Sequence, residues 1–118
     1  MPSKSPLLAL SEMAANIDLA KEFVKGLSFE EFSVDTKTLY AVIRCLEIIS
    51  EASRRLPSEL LQRHPDIPWI QIARAGNIYR HEYNDVREKM IWTTIHGSLD
   101  PLEAVVRQEL ARLNDGQA

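Results

Sequence analysis

Leu10-Ser11-Glu12-Met13-Ala14-Ala15-Asn16-Ile17-Asp18-Leu19-Ala20-Lys21-Glu22-Phe23-Val24-Lys25-Gly26-Leu27 carries apolar residues at Leu10, Met13, Ile17, Ala20, Val24 and Leu27. The steps between them alternate between three and four, which is the repeat of one helical face. Glu12, Asp18, Lys21, Glu22 and Lys25 fall off that stripe. The pattern predicts an amphipathic helix over residues 5–27, and its apolar stripe requires a partner surface.

The partner surfaces lie further along the chain. Ser28 with Glu31 matches a capping box for a short turn through Phe32. Asp35 is placed to N-cap a second long helix over 36–56, lined by Leu39, Val42, Leu46, Ile49 and Leu56. Cys45 falls among Val42, Ile43, Leu46 and Ile49 and reads as a small packed residue. Pro57 stands near the start of a short helix through Gln62, and His64-Pro65-Asp66-Ile67-Pro68 breaks the periodicity as a connector. His64, flanked by this connector, reads as a surface residue.

Pro68 opens a third long helix reaching Glu82, with Trp69, Ile72, Ala73 and Tyr79 as apolar positions. A fourth covers 85–97, with Val86, Met90, Ile91, Trp92 and Ile95, and His96 near its end is placed to meet the helix dipole. Asp100-Pro101-Leu102-Glu103 reads as an N-cap, a proline in the first turn and an acidic start for a last helix over 101–113. Asn114 to Ala118 reads as a frayed tail. Trp69 and Trp92 read as core residues. The expectation is an all-α protein, an antiparallel bundle of four to five helices, forming one domain over residues 1–118.

The composition agrees with that class. The 118 residues are 45% hydrophobic and 26% charged, ordinary for a soluble domain able to bury one core. No signal peptide is visible, and no stretch approaches the ~18 apolar residues of a membrane span. The lone cysteine cannot form an intrachain disulfide, so a reducing cytoplasm is the expected setting and no membrane partner is expected. The formal net charge of −3 counts against broad duplex binding. A nucleic-acid function would need its cations gathered locally.

Ala73-Arg74-Ala75-Gly76-Asn77-Ile78-Tyr79-Arg80-His81-Glu82-Tyr83 concentrates polar chemistry. Arg74, Asn77 and His81 stand at i, i+3 and i+7 and share one helical face. A cation, an amide and an imidazole on one stripe can bind an anion and move a proton. A solvated or interface face with ion pairs has the same spacing. Arg74 and His81 are separated by a rise of ~10 Å along the axis, wide for gripping one phosphate within one chain. Two such helices facing across a two-fold axis would close that gap. No phosphate-cradling glycine loop, paired-carboxylate pattern or metal-ligand spacing accompanies this segment, and no cofactor is expected.

The segment resembles the Arg-x(4–6)-His motif of HEPN nucleases, in the extended form with a tyrosine two residues after the histidine. Arg74-x6-His81-x-Tyr83 fits at the upper limit of the spacing. Leu46-Glu47-Ile48-Ile49-Ser50-Glu51-Ala52 resembles the second-helix signature of the HepT-type ribonuclease toxins within that superfamily, where glycine usually stands at the position of Ser50. Asp66-Ile67-Pro68-Trp69 resembles the stretch leading into their catalytic helix, and Trp92 and Leu99–Leu102 also fall where that family places theirs. The chain departs from the family's commonest pattern, in which the arginine directly precedes the asparagine. Gly76 precedes Asn77 here, and arginines stand at 74 and 80 instead.

The resemblance implies a HEPN-like fold and a metal-independent endoribonuclease acting as a toxin. Its RNA 2′-hydroxyl would attack the adjacent phosphorus to give a cyclic phosphate. Arg74 and His81 are the implied catalytic pair, with Asn77, Arg80 and Glu51 supporting, and either arginine could hold the phosphate. Glu51 could order the pair from the second helix, or form a partly buried ion pair. The implied partners are RNA, a second copy of the chain, and a minimal nucleotidyltransferase antitoxin that transfers AMP to Tyr83. For Tyr83 to border the same cleft as His81, the helix must end or distort near Glu82. The alternative is a non-catalytic dimeric binding module that engages the nucleotidyltransferase.

Overall fold

The computed structural model describes residues 5–81 and 85–116, with side chains described outside 78–86. The expectations at Glu82, Tyr83 and the last two residues lie outside the described residues. So do the side chains of Arg80 and His81.

Every regular element among the described residues is helical: α1 (Leu7–Val24), α2 (Phe29–Ser33), α3 (Thr36–Ser53), α4 (Ser58–Arg63), α5 (Trp69–His81), α6 (Asp85–Thr93) and α7 (Leu99–Gly116), with a π turn (Thr94–Ser98) joining the last two. Helix α1 stops short of Leu27 because Gly26 takes φ +81°, a left-handed conformation that favours glycine. Leu27 still donates its N–H to the Val24 carbonyl at 3.0 Å and packs half-buried on the core.

The expected caps form. Ser28 Oγ accepts from the Glu31 N–H while Glu31 accepts from the Ser28 N–H, so two orphan amides are satisfied reciprocally. Asp35 accepts from both the N–H and the hydroxyl of Thr38, and these bonds hold its carboxyl below the usual range. Helix α3 ends at Ser53 and Leu56 follows in a turn, buried all the same.

The core lies between α1, α3 and α7. Leu10, Met13, Ile17, Ala20 and Val24 of α1 meet Leu39, Val42, Leu46 and Ile49 of α3 and Leu99, Leu102 and Val106 of α7. Each such large side chain contributes about 1.5–3 kcal/mol by leaving water. Charged pairs at the rim show the chain direction. Glu12 pairs with Arg55 past the end of α3. Lys21 pairs with Asp100 and Glu103 while Asp18 pairs with Arg107. Moving up α1 therefore means moving down both partners, which makes the bundle antiparallel. Cys45 is buried as read, and burial pushes its thiol up.

The break expected at Asp100 does not occur. Helix α6 runs through the π turn into α7 without leaving the helical path, and α7 continues past Leu113 to Gly116. The Leu99 N–H bonds the Thr94 carbonyl, five residues back. This wider turn lies immediately before Pro101, which lacks an N–H and whose ring would clash with the Gly97 carbonyl in a regular helix. The proline is therefore absorbed by a π turn instead of starting a new helix, and Asp100 is an ion-pair partner of Lys21 and no N-cap. His96 consequently meets no helix end. Its Nδ1 lies 2.9 Å from the Trp92 carbonyl, and its ring stacks on Trp92 at 4.0 Å.

Trp92 is half-buried against Phe29 and Phe32, tying α2 to α6, and Trp69 also packs at the edge of the core. His64 is not the surface residue expected. Its Nε2 sits 2.6 Å from Glu109 Oε2, beside the bidentate Arg63 guanidinium at 2.7 and 3.2 Å. Glu109 exposes only 3% of its side chain. The Arg63 hydrogen bond, with help from His64, holds its carboxyl below the usual range despite burial. Trp69 Nε1 donates to the His64 carbonyl at 3.0 Å, so the two-proline connector is pinned at both ends.

Candidate functional site

Helix α5 has two different faces. Its inner face presents Ile72, Ala73, Ala75 and Gly76, and Gly76 is buried against α3. A Cβ placed on Gly76 would lie 3.6 Å from Ser50 Oγ and 3.7 Å from the Glu47 Cα, so the two helices approach almost backbone to backbone. Ser50 Oγ donates to the Ala73 carbonyl at 3.0 Å and accepts a long bond from the Gly76 N–H at 3.4 Å. Ser50 and Gly76 are thus one contact. A small residue on each helix allows the crossing.

The outer face presents Ile70, Arg74 and Asn77, all exposed and spaced at i, i+4 and i+7. Neither Arg74 nor Asn77 has a side-chain hydrogen bond or ion pair among the described residues. Arg74 is exposed and unpaired among the described residues, which agrees with a solvated face and shows no ion pair within the chain there. Helix α5 continues to His81, seven residues beyond Arg74. Glu51 is exposed on α3 and takes part in no ion pair among the described residues, so the partly buried pair is not found.

Sequence reasoning missed Arg54. Its Nη1 donates to the Ala73 carbonyl at 2.6 Å and reaches Ser50 Oγ at 3.4 Å. The signal was present in the spacing Glu47, Ser50, Arg54, which is i, i+3 and i+7 along α3 and its C-cap. Nothing in that spacing named α5 as the helix facing it.

An apolar cleft of about 220 Å³ lies on the other side of α5, lined by Ile49, Ile67, Ile72, Leu99, Pro101 and Leu102 among others. No cation lines it. Among the described residues, no group of three His, Cys, Asp or Glu is placed to hold a metal ion, and no helix is long and apolar enough to cross a membrane.

Comparison with known proteins bears on this face. The family model described as Ribonuclease HepT-like matches residues 13–109, from the second turn of α1 to Glu109. The chain belongs to the ribonuclease HepT-like family. The HepT-like match takes in the whole α3–α5 crossing and the π turn. A relative in Thermococcus cleftensis, named "Probable ribonuclease HepT", is 39% identical over 94 residues, covering 80% of this chain and 86% of its own. Another in Caldanaerobacter subterraneus subsp. tengcongensis, named "Putative RNase TTE0752", is 37% identical over 109 residues, 92% of this chain and 97% of the relative. A Methanocaldococcus jannaschii protein named "Putative RNase MJ0127" is 34% identical over 95 residues, 80% of this chain and 78% of its own. No solved structure gives a significant match.

Proposed function

We propose that this HepT-like protein is a metal-independent endoribonuclease that acts as the toxin of a toxin–antitoxin pair. The observation that carries the reading is the exposed Arg74 cation, unpaired among the described residues, beside Asn77 on α5, one helix with His81. Ribonuclease names on relatives that align along most of the chain support it. Attack of the RNA 2′-hydroxyl on the adjacent phosphorus forms the 2′-O–P bond of a cyclic phosphate and breaks the P–O5′ bond. His81 takes the 2′-hydroxyl proton or supplies one to the leaving oxygen, because imidazole titrates near neutral pH. Arg74, helped by Arg80, neutralises charge on the phosphoryl oxygens, and Asn77 hydrogen-bonds the phosphate or orients His81. Glu51 supports the arrangement from α3.

The site is composite. A rise of ~10 Å separates Arg74 from His81 on one helix, and a second copy facing α5 across a two-fold axis brings Arg74 of one chain to His81 of the other. Ile70, 65% exposed on the same stripe, is a suitable apolar contact for that interface. Light scattering at micromolar concentration should give a dimer. A monomer would remove the composite site.

A nucleotidyltransferase antitoxin neutralises the toxin by adding AMP to Tyr83, which places bulk and negative charge beside the phosphate site. Mass spectrometry of the protein co-expressed with its cognate nucleotidyltransferase should map AMP to Tyr83, and modification only at Tyr40 or Tyr79 would sink that step. A second reading, a non-catalytic dimeric module that engages the nucleotidyltransferase, is favoured by the acidic net charge of −3 and the displaced arginine. Cleavage of RNA by purified protein in the presence of a chelator, beside His81→Ala, decides between them. The enzyme reading expects cleavage by the wild type and none by the variant. Equal cleavage by both would take His81 out of the mechanism.

A further inference from the structure

Arg54 pairs with no carboxylate among the described residues. Its neighbour Arg55 pairs with Glu12, and Arg63 pairs with Glu109. Glu51, in the last turn of α3, stands three residues before the C-cap Arg54 and is exposed, yet the two do not pair. Arg54 instead spends one guanidinium nitrogen on the Ala73 carbonyl at 2.6 Å, across the helix crossing. That carbonyl directly precedes Arg74 in the chain. Arg54, at the C-cap of α3, thus bonds the turn of α5 that carries Arg74, and both arginines are exposed and without a carboxylate among the described residues.

A guanidinium has five donors on a rigid plane. Anchoring one edge to a backbone carbonyl holds that plane in place and leaves the remaining donors facing solvent. Ser50 Oγ, 3.4 Å from the same nitrogen, is part of the anchor. Much of the entropy lost when a long side chain is ordered on binding is thereby already lost in the free protein. Two exposed cations without a carboxylate among the described residues, one on α5 and one bonded to it, also answer the charge objection, since a local basic site suffices where the global balance is negative.

We propose that Arg54 is a second RNA-phosphate-binding residue, anchored by Ala73 and Ser50 so that it holds a backbone phosphate flanking the one bound by Arg74. This rests on the ribonuclease reading of the α5 face. Arg54 binds substrate without taking part in bond making, so its loss falls on KM and leaves kcat nearly unchanged.

The test uses full-length protein and a single-stranded 2′-O-methyl RNA oligonucleotide, which cannot be cut by 2′-hydroxyl attack, with affinity followed from low to high salt. Arg54→Gln keeps an amide donor for the anchor and removes the charge. It should weaken binding about ten-fold and reduce the slope of log affinity against log salt by about 0.7. Arg54→Lys should restore most of that slope. Cleavage of an unmodified oligonucleotide by Arg54→Gln should show a raised KM at near wild-type kcat. Arg54→Gln that binds with wild-type affinity and salt slope, while the wild type cleaves RNA, would overturn the proposal and leave the ribonuclease reading standing. A weaker affinity with an unchanged salt slope and a lowered Tm would also overturn it, because that is the signature of a purely structural anchor. A wild type that neither binds nor cuts RNA would remove the ribonuclease reading, and this inference with it.

Discussion

Arg63, at the end of α4, and Arg74, midway along α5, flank the same connector in opposite surroundings. Arg63 lays two nitrogens on the carboxylate of Glu109, which is buried and also receives His64. Arg74 lies on the outer face of α5 with no hydrogen bond or ion pair among the described residues. A buried carboxylate is costly unless its oxygens are filled, so Glu109 gathers its cations and the cluster pins α4 and the connector to α7. No packing requirement explains the position of Arg74. The first region is ordered by the needs of folding. The second retains a charge that folding does not use.

The largest effect expected from this contrast is at Arg74. Arg74→Ala should slow RNA cleavage by about two orders of magnitude, the scale of losing one electrostatic stabiliser. Its Tm should barely move, because exposed substitutions change stability by less than about 0.5 kcal/mol. Arg80→Ala should act mainly through weaker RNA binding. Side-by-side kinetics and thermal melts check the pair, and a more damaging Arg80→Ala would reassign the phosphate-binding arginine.

The mirror experiment is at Glu109. Glu109→Gln should cost about 2 kcal/mol in urea unfolding, less than a fully buried pair because Arg63 keeps a third of its side chain in water. The variant should cleave RNA at the wild-type rate under conditions where it remains folded. A loss of cleavage without loss of stability would erase the distinction between the two regions.

The same carboxylate sets a pH signature. Its folded value is depressed, so the charged form is favoured by folding. The stability it contributes is complete above the ordinary carboxylate range and is lost as pH falls through that range to the depressed folded value. Urea midpoints measured down an acid series should fall for the wild type and fall less steeply for Glu109→Gln. Parallel curves would mean that Glu109 does not carry this acid sensitivity.

The smallest effect is expected at the crossing beneath Arg74. Gly76→Ala adds a Cβ at 3.6–3.7 Å from α3, an ordinary contact. Alanine in a helix interior should then stabilise by about 0.5 kcal/mol. Destabilisation instead would show that α3 and α5 cannot give even this little.

Most of the helices were legible because their signals are local. The three-and-four spacing from Leu10 to Val24, the Ser28–Glu31 box and the Asp35 cap each act within a few residues, and each forms as read. Asp100-Pro101 misled for the same reason. Locally it matches a helix start, but the burial of Ile95, Leu99 and Leu102 against the core carries the helix through, and a π turn relieves the proline. The stripe of Arg74 and Asn77 was readable from spacing, as was its shared helix with His81.

The sequence by itself determined the helical class, the caps and the grouping of polar chemistry on one segment, since these depend on periodicity and on neighbours close in the chain. Only the tertiary structure decided which charges are silenced and which stay free. His64 looked exposed until α7 brought Glu109 to it, and Arg54 had no visible connection to Ala73 until α3 and α5 crossed at Ser50 and Gly76. Both pairings join residues far apart in the chain. Their physical reason is the same: a charge is satisfied by whatever the packing of apolar faces carries within hydrogen-bond reach, and no local pattern records that distance.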